Sequence, residues 1–129
     1  PISPTAGVVL AFARESVRER VLARRAERHP SREVVLDPVK QRQVFKKIQD
    51  RFYAFHDDPH DAGFAVLSAP IFNHAEGLEA ALTLVMNRRA GNVDHEKQYL
   101  QVLMGTAIEI SRALGSLNMA KRMAEKYGG

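Results

Sequence analysis

The chain contains no cysteine. That absence excludes a disulfide scaffold, Cys-ligated zinc and thiol catalysis. Long apolar runs are lacking too. The longest extends from Gly7 to Ala13, far short of the roughly 20 residues that span a bilayer. No basic region precedes that run and no small-residue cleavage site follows it, so it does not read as a signal peptide. Glycines Gly7, Gly63 and Gly77 are isolated, which leaves no Gly-rich loop to cradle a phosphate. There is no internal repeat, low-complexity tract or linker. A cytoplasmic protein with no membrane contact is expected.

What is present is ordinary for a globular domain. Of 129 residues, 45% are apolar and 26% charged, enough for one domain that buries about two thirds of its unfolded surface. The chain starts at Pro1 rather than Met, and is read as a piece of something longer. The pI of 9.7 reflects an excess of only +4, from 19 Lys and Arg against 15 Asp and Glu. The densest basic cluster, Arg14, Arg18, Arg20, Arg24, Arg25 and Arg28, is interleaved with Glu15, Glu19 and Glu27. That mixture reads as a solvated helix face. A nucleic-acid stripe is less diluted by acids and carries stacking aromatics, and none sits here.

Ser3-Pro4-Thr5 is a helix-entry signal, with Thr5 taken as the cap before Val8, Val9, Leu10 and Phe12. A helix apolar all round should be buried against a sheet. Residues 15–28 form an amphipathic helix with Val17, Val21 and Leu22 on one face, ended by His29-Pro30. Asp37-Pro38 opens a third helix bearing Val44, Phe45, Ile48 and Phe52. His56 to Gly63 reads as a polar loop. Phe64 to Phe72 reads as a strand with Pro70 near its end or at an edge, Asn73 to Gly77 as a turn, and Leu78 to Met86 as a strand covered on both faces. The two strands make an antiparallel hairpin. After a loop from Asn87 to Asn92, Asp94 opens a long helix that Gly115 ends or kinks, with a capped continuation to Tyr127. Two strands are too few for a stable sheet, so others belong to a missing segment or a partner.

No constellation supports an enzyme. His56-Asp57-Asp58-Pro59-His60-Asp61 concentrates groups that zinc or another divalent metal uses, but Pro59 breaks the helix on which two His at i and i+4 bind well. A solvated loop is the plainer reading, and a small metal-dependent enzyme built on that loop the weaker one. His29, His74 and His95 read as surface groups. Ser68, between Leu67 and Ala69, lacks the Gly-x-Ser-x-Gly elbow and reads as a strand serine. What remains is a mixed α/β scaffold whose apolar interior suits a small molecule.

Residues in sequence order then carry a resemblance. Leu10-Ala11-Phe12, Val17 to Ala23, Asp37-Pro38, Tyr53-Ala54-Phe55-His56-Asp57-Asp58, Gly63 to Asn73, Gly77, Ala80-Ala81-Leu82-Thr83 and Ile108 to Gly115 together resemble the C-terminal effector-binding domain of IclR-type bacterial transcriptional regulators. The likeness covers roughly residues 1–115. It implies an α+β, GAF-like fold, an antiparallel sheet flanked by helices, here a partial domain. The winged helix-turn-helix and the first strands would precede Pro1. It further implies a homodimer or tetramer that touches DNA only through the absent domain, needs no cofactor or metal, and responds to a small-molecule effector.

The resemblance places the effector against Thr5, Ala6, Gly7, His56, Gly63, Phe64, Val66, Thr83 and Val85. Where family members carry an acid, a Cys and two strand serines, this chain has His56, Val66, Thr83 and Val85, and Met86-Asn87 stands for a Gly-Pro. Near the start, Thr5-Ala6-Gly7 lacks the family's following Lys. The pocket is therefore less polar, with His56 its main ionisable group, and the expected effector is partly apolar. The alternative on the same scaffold is a ligand-free oligomerisation module whose pocket is filled by Phe64, Val66 and Met86.

Overall fold

The computed structural model describes residues 2–28, 38–57, 63–87 and 94–128. Helix α1 (Pro4–Phe12) is followed by α2 (Glu15–Arg28), α3 (Pro38–Arg51), strands β1 (Ala54–Asp57), β2 (Phe64–Phe72) and β3 (Leu78–Asn87), then α4 (His95–Ala113) and α5 (Asn118–Tyr127). The strands form one antiparallel sheet in the order β1-β2-β3. The fold is α+β, as expected. The expected cap of α1 moves two residues earlier: Ser3, not Thr5, accepts the Ala6 N–H at 3.2 Å, and Pro4 occupies the first turn. A Pro there has no N–H to leave unsatisfied.

The sheet separates two cores. On one face Ala65, Leu67, Ala69 and Met86 pack against Leu103, Met104, Ala107 and Ile108 of α4 and Met123 of α5. On the other, Val8, Leu10 and Ala11 of α1 meet Phe45 and Ile48 of α3 and Ala54 of β1. Phe12, Phe52 and Phe72 join them, with Phe12 stacked on Phe52 at 5.8 Å and edge-on to Phe72 at 5.3 Å. Phe52 takes a positive φ of 65° to turn the chain from α3 into β1, a strained geometry for a bulky residue that the aromatic cluster holds in place.

Three further expectations change. The segment assigned to a polar loop begins as strand: His56 and Asp57 belong to β1, paired with Val66 and Ala65. Asp58 to Ala62 lie outside the described residues, as do Asp37, His29-Pro30 and most of the expected loop after Asn87. Strand β3 is not covered on both faces; Val85 is 61% exposed, because α1 reaches only part of its length. Helix α2 forms where periodicity put it, yet buries no residue. It is tied to the body by Leu22, which packs half-buried against the α1 and α3 core, and by Arg18, whose guanidinium donates to the Leu10 carbonyl at 3.1 Å and lies over the Phe45 ring. Pro70 fits its expected place, since β1 pairing stops at Ser68 and leaves Pro70 beyond it.

The hairpin turn anchors the C-terminal helix. Asn73 Oδ1 accepts the N–H groups of Ala75 and Gly77, which puts Glu76 at φ 62°. The Glu76 carboxylate then accepts the Ser116 hydroxyl at 2.6 Å and the backbone N–H groups of Leu117, Asn118 and Met119. The Ser116 hydroxyl bond and the Asn118 N–H chiefly hold its pKa down at about 2, as donors aimed at a carboxylate do at a helix N-terminus.

Candidate functional site: a hydroxyl-braced sheet face and an adjoining cleft

Antiparallel register sets the site out in rows, because partners on neighbouring strands share a face. One row across the sheet is Ala54, Ser68 and Thr83; the next is His56, Val66 and Val85. Both rows lie on the α1 face. Thr5 of α1 shares a hydrogen bond with Thr83, Oγ1 to Oγ1 at 2.8 Å, and Thr83 shares another with Ser68 at 3.0 Å. Ser68 is fully buried, the strand serine that its neighbours indicated. Thr83 thus gives the buried Ser68 hydroxyl its partner, as a buried polar group requires. The two bonds pin the first turn of α1 to the sheet.

Beyond that row α1 ends and the face opens. His56 is exposed, Val66 half-buried, and Phe64 and Val85 are 55% and 61% exposed. These side chains make an apolar patch with one imidazole at its edge. Gly63, at φ 95°, leads the chain into β2 beside it. Thus Thr5, His56, Phe64, Val66, Thr83 and Val85 gather on one face, with Gly63 at its border. Ala6 is half-buried in the first turn, where its N–H serves the cap. Gly7 does not join them. It turns to α3, where an added Cβ would stand 3.2 Å from Ile48 Cδ1. Met86, proposed as a filler of this pocket, lies on the opposite face within the α4 core, since adjacent strand residues point to opposite sides.

On the far side of α1, its N-terminus, α3 and β1 enclose a cleft of about 240 Å³. Gly7, Ile48, Ala54 and Phe55 line it, with Lys47, Arg51 and His56. The Arg51 Nε donates to the Tyr53 carbonyl at 2.8 Å, and the guanidinium lies 4.1 Å over the Tyr53 ring. Sequence reading did not single out this cleft. Its signal was the i,i+4 spacing of Lys47 and Arg51 beside the apolar Val44 and Ile48 on one helix. Of the metal-type segment, His56 and Asp57 sit in β1, while Asp58, His60 and Asp61 lie outside the described residues. Among the described residues no three His, Asp or Glu side chains converge on one point, and no helix is long and apolar enough to cross a membrane.

Comparison with known proteins agrees with this geometry. A search of curated proteins returned no match. Solved structures do match. Pseudomonas aeruginosa HmgR superposes with a TM-score of 0.68 at 24% identity, over 90% of this chain and 45% of that one. Thermotoga maritima IclR gives 0.67 at 24%, over 88% and 46%. The inducer-binding domain of Acinetobacter PobR, solved as a double mutant with 3-hydroxybenzoic acid, gives 0.65 at 18%, over 84% and 65%. The chain spans just under half the length of HmgR and of the Thermotoga protein. The family model described as bacterial transcriptional regulator IclR C-terminal matches residues 2–112, which takes in both rows of the sheet face and every helix but α5. The chain belongs to the IclR family of bacterial transcriptional regulators, as the C-terminal domain of one.

Proposed function

We propose that this chain is the sensory part of a cytoplasmic transcription regulator and that its effector binds on the sheet face formed by Thr5, His56, Phe64, Val66, Thr83 and Val85. The observation that carries the reading is the polar accounting of that face. The hydroxyls of Thr5, Thr83 and Ser68 spend two of their three protons on one another, so the surface offered to a ligand is mainly apolar, with His56 beside it. Burying such a surface gains about 25 cal/mol per Å², while a very small acid would find few donors there. The effector is an aromatic or aliphatic compound with one polar end. PobR, a relative in fold, was solved with an aromatic acid of that character.

In this reading the chain performs no catalysis. The DNA contact belongs to a separate winged helix-turn-helix domain outside this chain. The protein acts as a homodimer or tetramer, and the effector shifts the population of subunit arrangements toward one with altered operator affinity. Native mass spectrometry of the protein purified from its own host tests this. A retained small molecule of mixed polarity is expected. A homogeneous apo mass from the native host, together with no binding in ligand screens, would favour the oligomerisation module.

A further inference from the structure

The cleft between α1, α3 and β1 shares Ala54 and His56 with the sheet-face rows but takes in none of the three hydroxyls, nor Phe64, Val66 or Val85. Thr5 faces Thr83 while Gly7 faces Ile48, so the first turn of α1 stands as a wedge between sheet face and cleft. The walls of the cleft are apolar, from Val44, Ile48, Ala54 and Phe55. Its polar groups are of one sign. Lys47 and Arg51 stand one helical turn apart on α3, His56 lies across from them on β1, and among the described residues none that lines the cleft is acidic. The nearest acid along α3, Asp50, pairs with Lys46 at 3.5 Å instead. Arg51 is fixed by the Tyr53 carbonyl and ring, so its guanidinium is held rather than free to swing into solvent. Ser3 and Pro4 bring the positive end of the α1 dipole to the same opening.

We infer that this cleft is a second ligand site, which takes a small amphipathic monoanion with its carboxylate toward Lys47 and Arg51 and its apolar tail against Val44, Ile48 and Phe55. The volume of about 240 Å³ lies below the roughly 300–1,000 Å³ of drug-sized sites. It admits one ring or a short alkyl chain. Two cations, with no acid among the described lining residues, favour an anion over its neutral isostere, and the fixed guanidinium suits a planar carboxylate.

An amide NMR titration of the isotope-labelled chain tests the site, with phenylpropionate as the probe and its neutral amide, phenylpropionamide, as the control. The acid is expected to shift the amides of Ser3, Gly7 and Val44 to Arg51 saturably, and to bind about tenfold more tightly than the amide. Lys47→Gln, a change at an exposed position, is expected to weaken the acid by about tenfold and leave the amide unchanged. Equal affinities for acid and amide, or an unaltered affinity in Lys47→Gln, would overturn the inference. Shifts confined to Val66, Thr83 and Val85 would overturn it as well, while leaving the effector reading of the sheet face intact. No saturable shift at millimolar probe also counts against the cleft, and the effector reading is then judged by the native mass measurement.

Discussion

Thr83 holds two hydroxyls at once, those of Thr5 and the fully buried Ser68. Thr83→Val keeps the shape and removes both bonds, so the Ser68 hydroxyl loses its partner in the sheet interior. A loss of about 1–3 kcal/mol is expected, measured by urea denaturation, with Thr83→Ser close to the parent. Equal stability of the Val and Ser variants would show that the hydroxyl row does not brace α1. Gly115 presents a different kind of constraint. It sits at φ 91°, and a Cβ there would stand 2.9 Å from that of His74. Gly115→Ala should therefore cost about 1–3 kcal/mol in the same assay. Much of the site was legible at this scale. The pleat puts Phe64 and Val66 on one face, and the hairpin register brings Val85 beside them. Naming Met86 with Val85 as a pocket wall broke the same rule, because a period of two sends neighbours to opposite sides.

The secondary elements were largely readable where the apolar signal was long, as in the continuous runs of α1 and β2 and the helical period of α4. They were not where the signal was short. Strand β1 has only four residues and ends in His56-Asp57, so its polar end merged with the loop beyond it. The role of α5 also escaped, since the group that caps it comes from Glu76, 42 residues before Asn118. Because the Glu76 pKa falls from 4.5 to about 2 on folding, its contribution is complete above pH 4.5 and is lost as pH falls toward 2. Glu76→Gln should flatten stability against pH in that window, read by circular dichroism during acid titration. An unchanged acid profile would show that the clamp contributes nothing. Helix α2 predicts the reverse. As it buries no residue, Val17→Gln and Val21→Gln should each alter stability by no more than about 0.5 kcal/mol; a larger loss would mean that this face is packed in solution.

At the scale of the molecule, the charge pattern bears on the proposal that DNA contact lies outside this chain. Its arginines cluster on α2 among glutamates, with no stacking aromatics between them. Gel-shift titration across salt concentrations is expected to show only weak, salt-sensitive association; sequence-selective binding at physiological salt would contradict this. The central claim is that the sheet face binds a partly apolar effector. Isothermal calorimetry of the chain and of Val66→Asp, against an aromatic acid such as 3-hydroxybenzoate and against glyoxylate, tests it most directly. The account predicts binding of the aromatic acid alone and its loss in Val66→Asp, where a carboxylate in the apolar row is costly to bury unpaired. Tight binding of glyoxylate that survives Val66→Asp would contradict it.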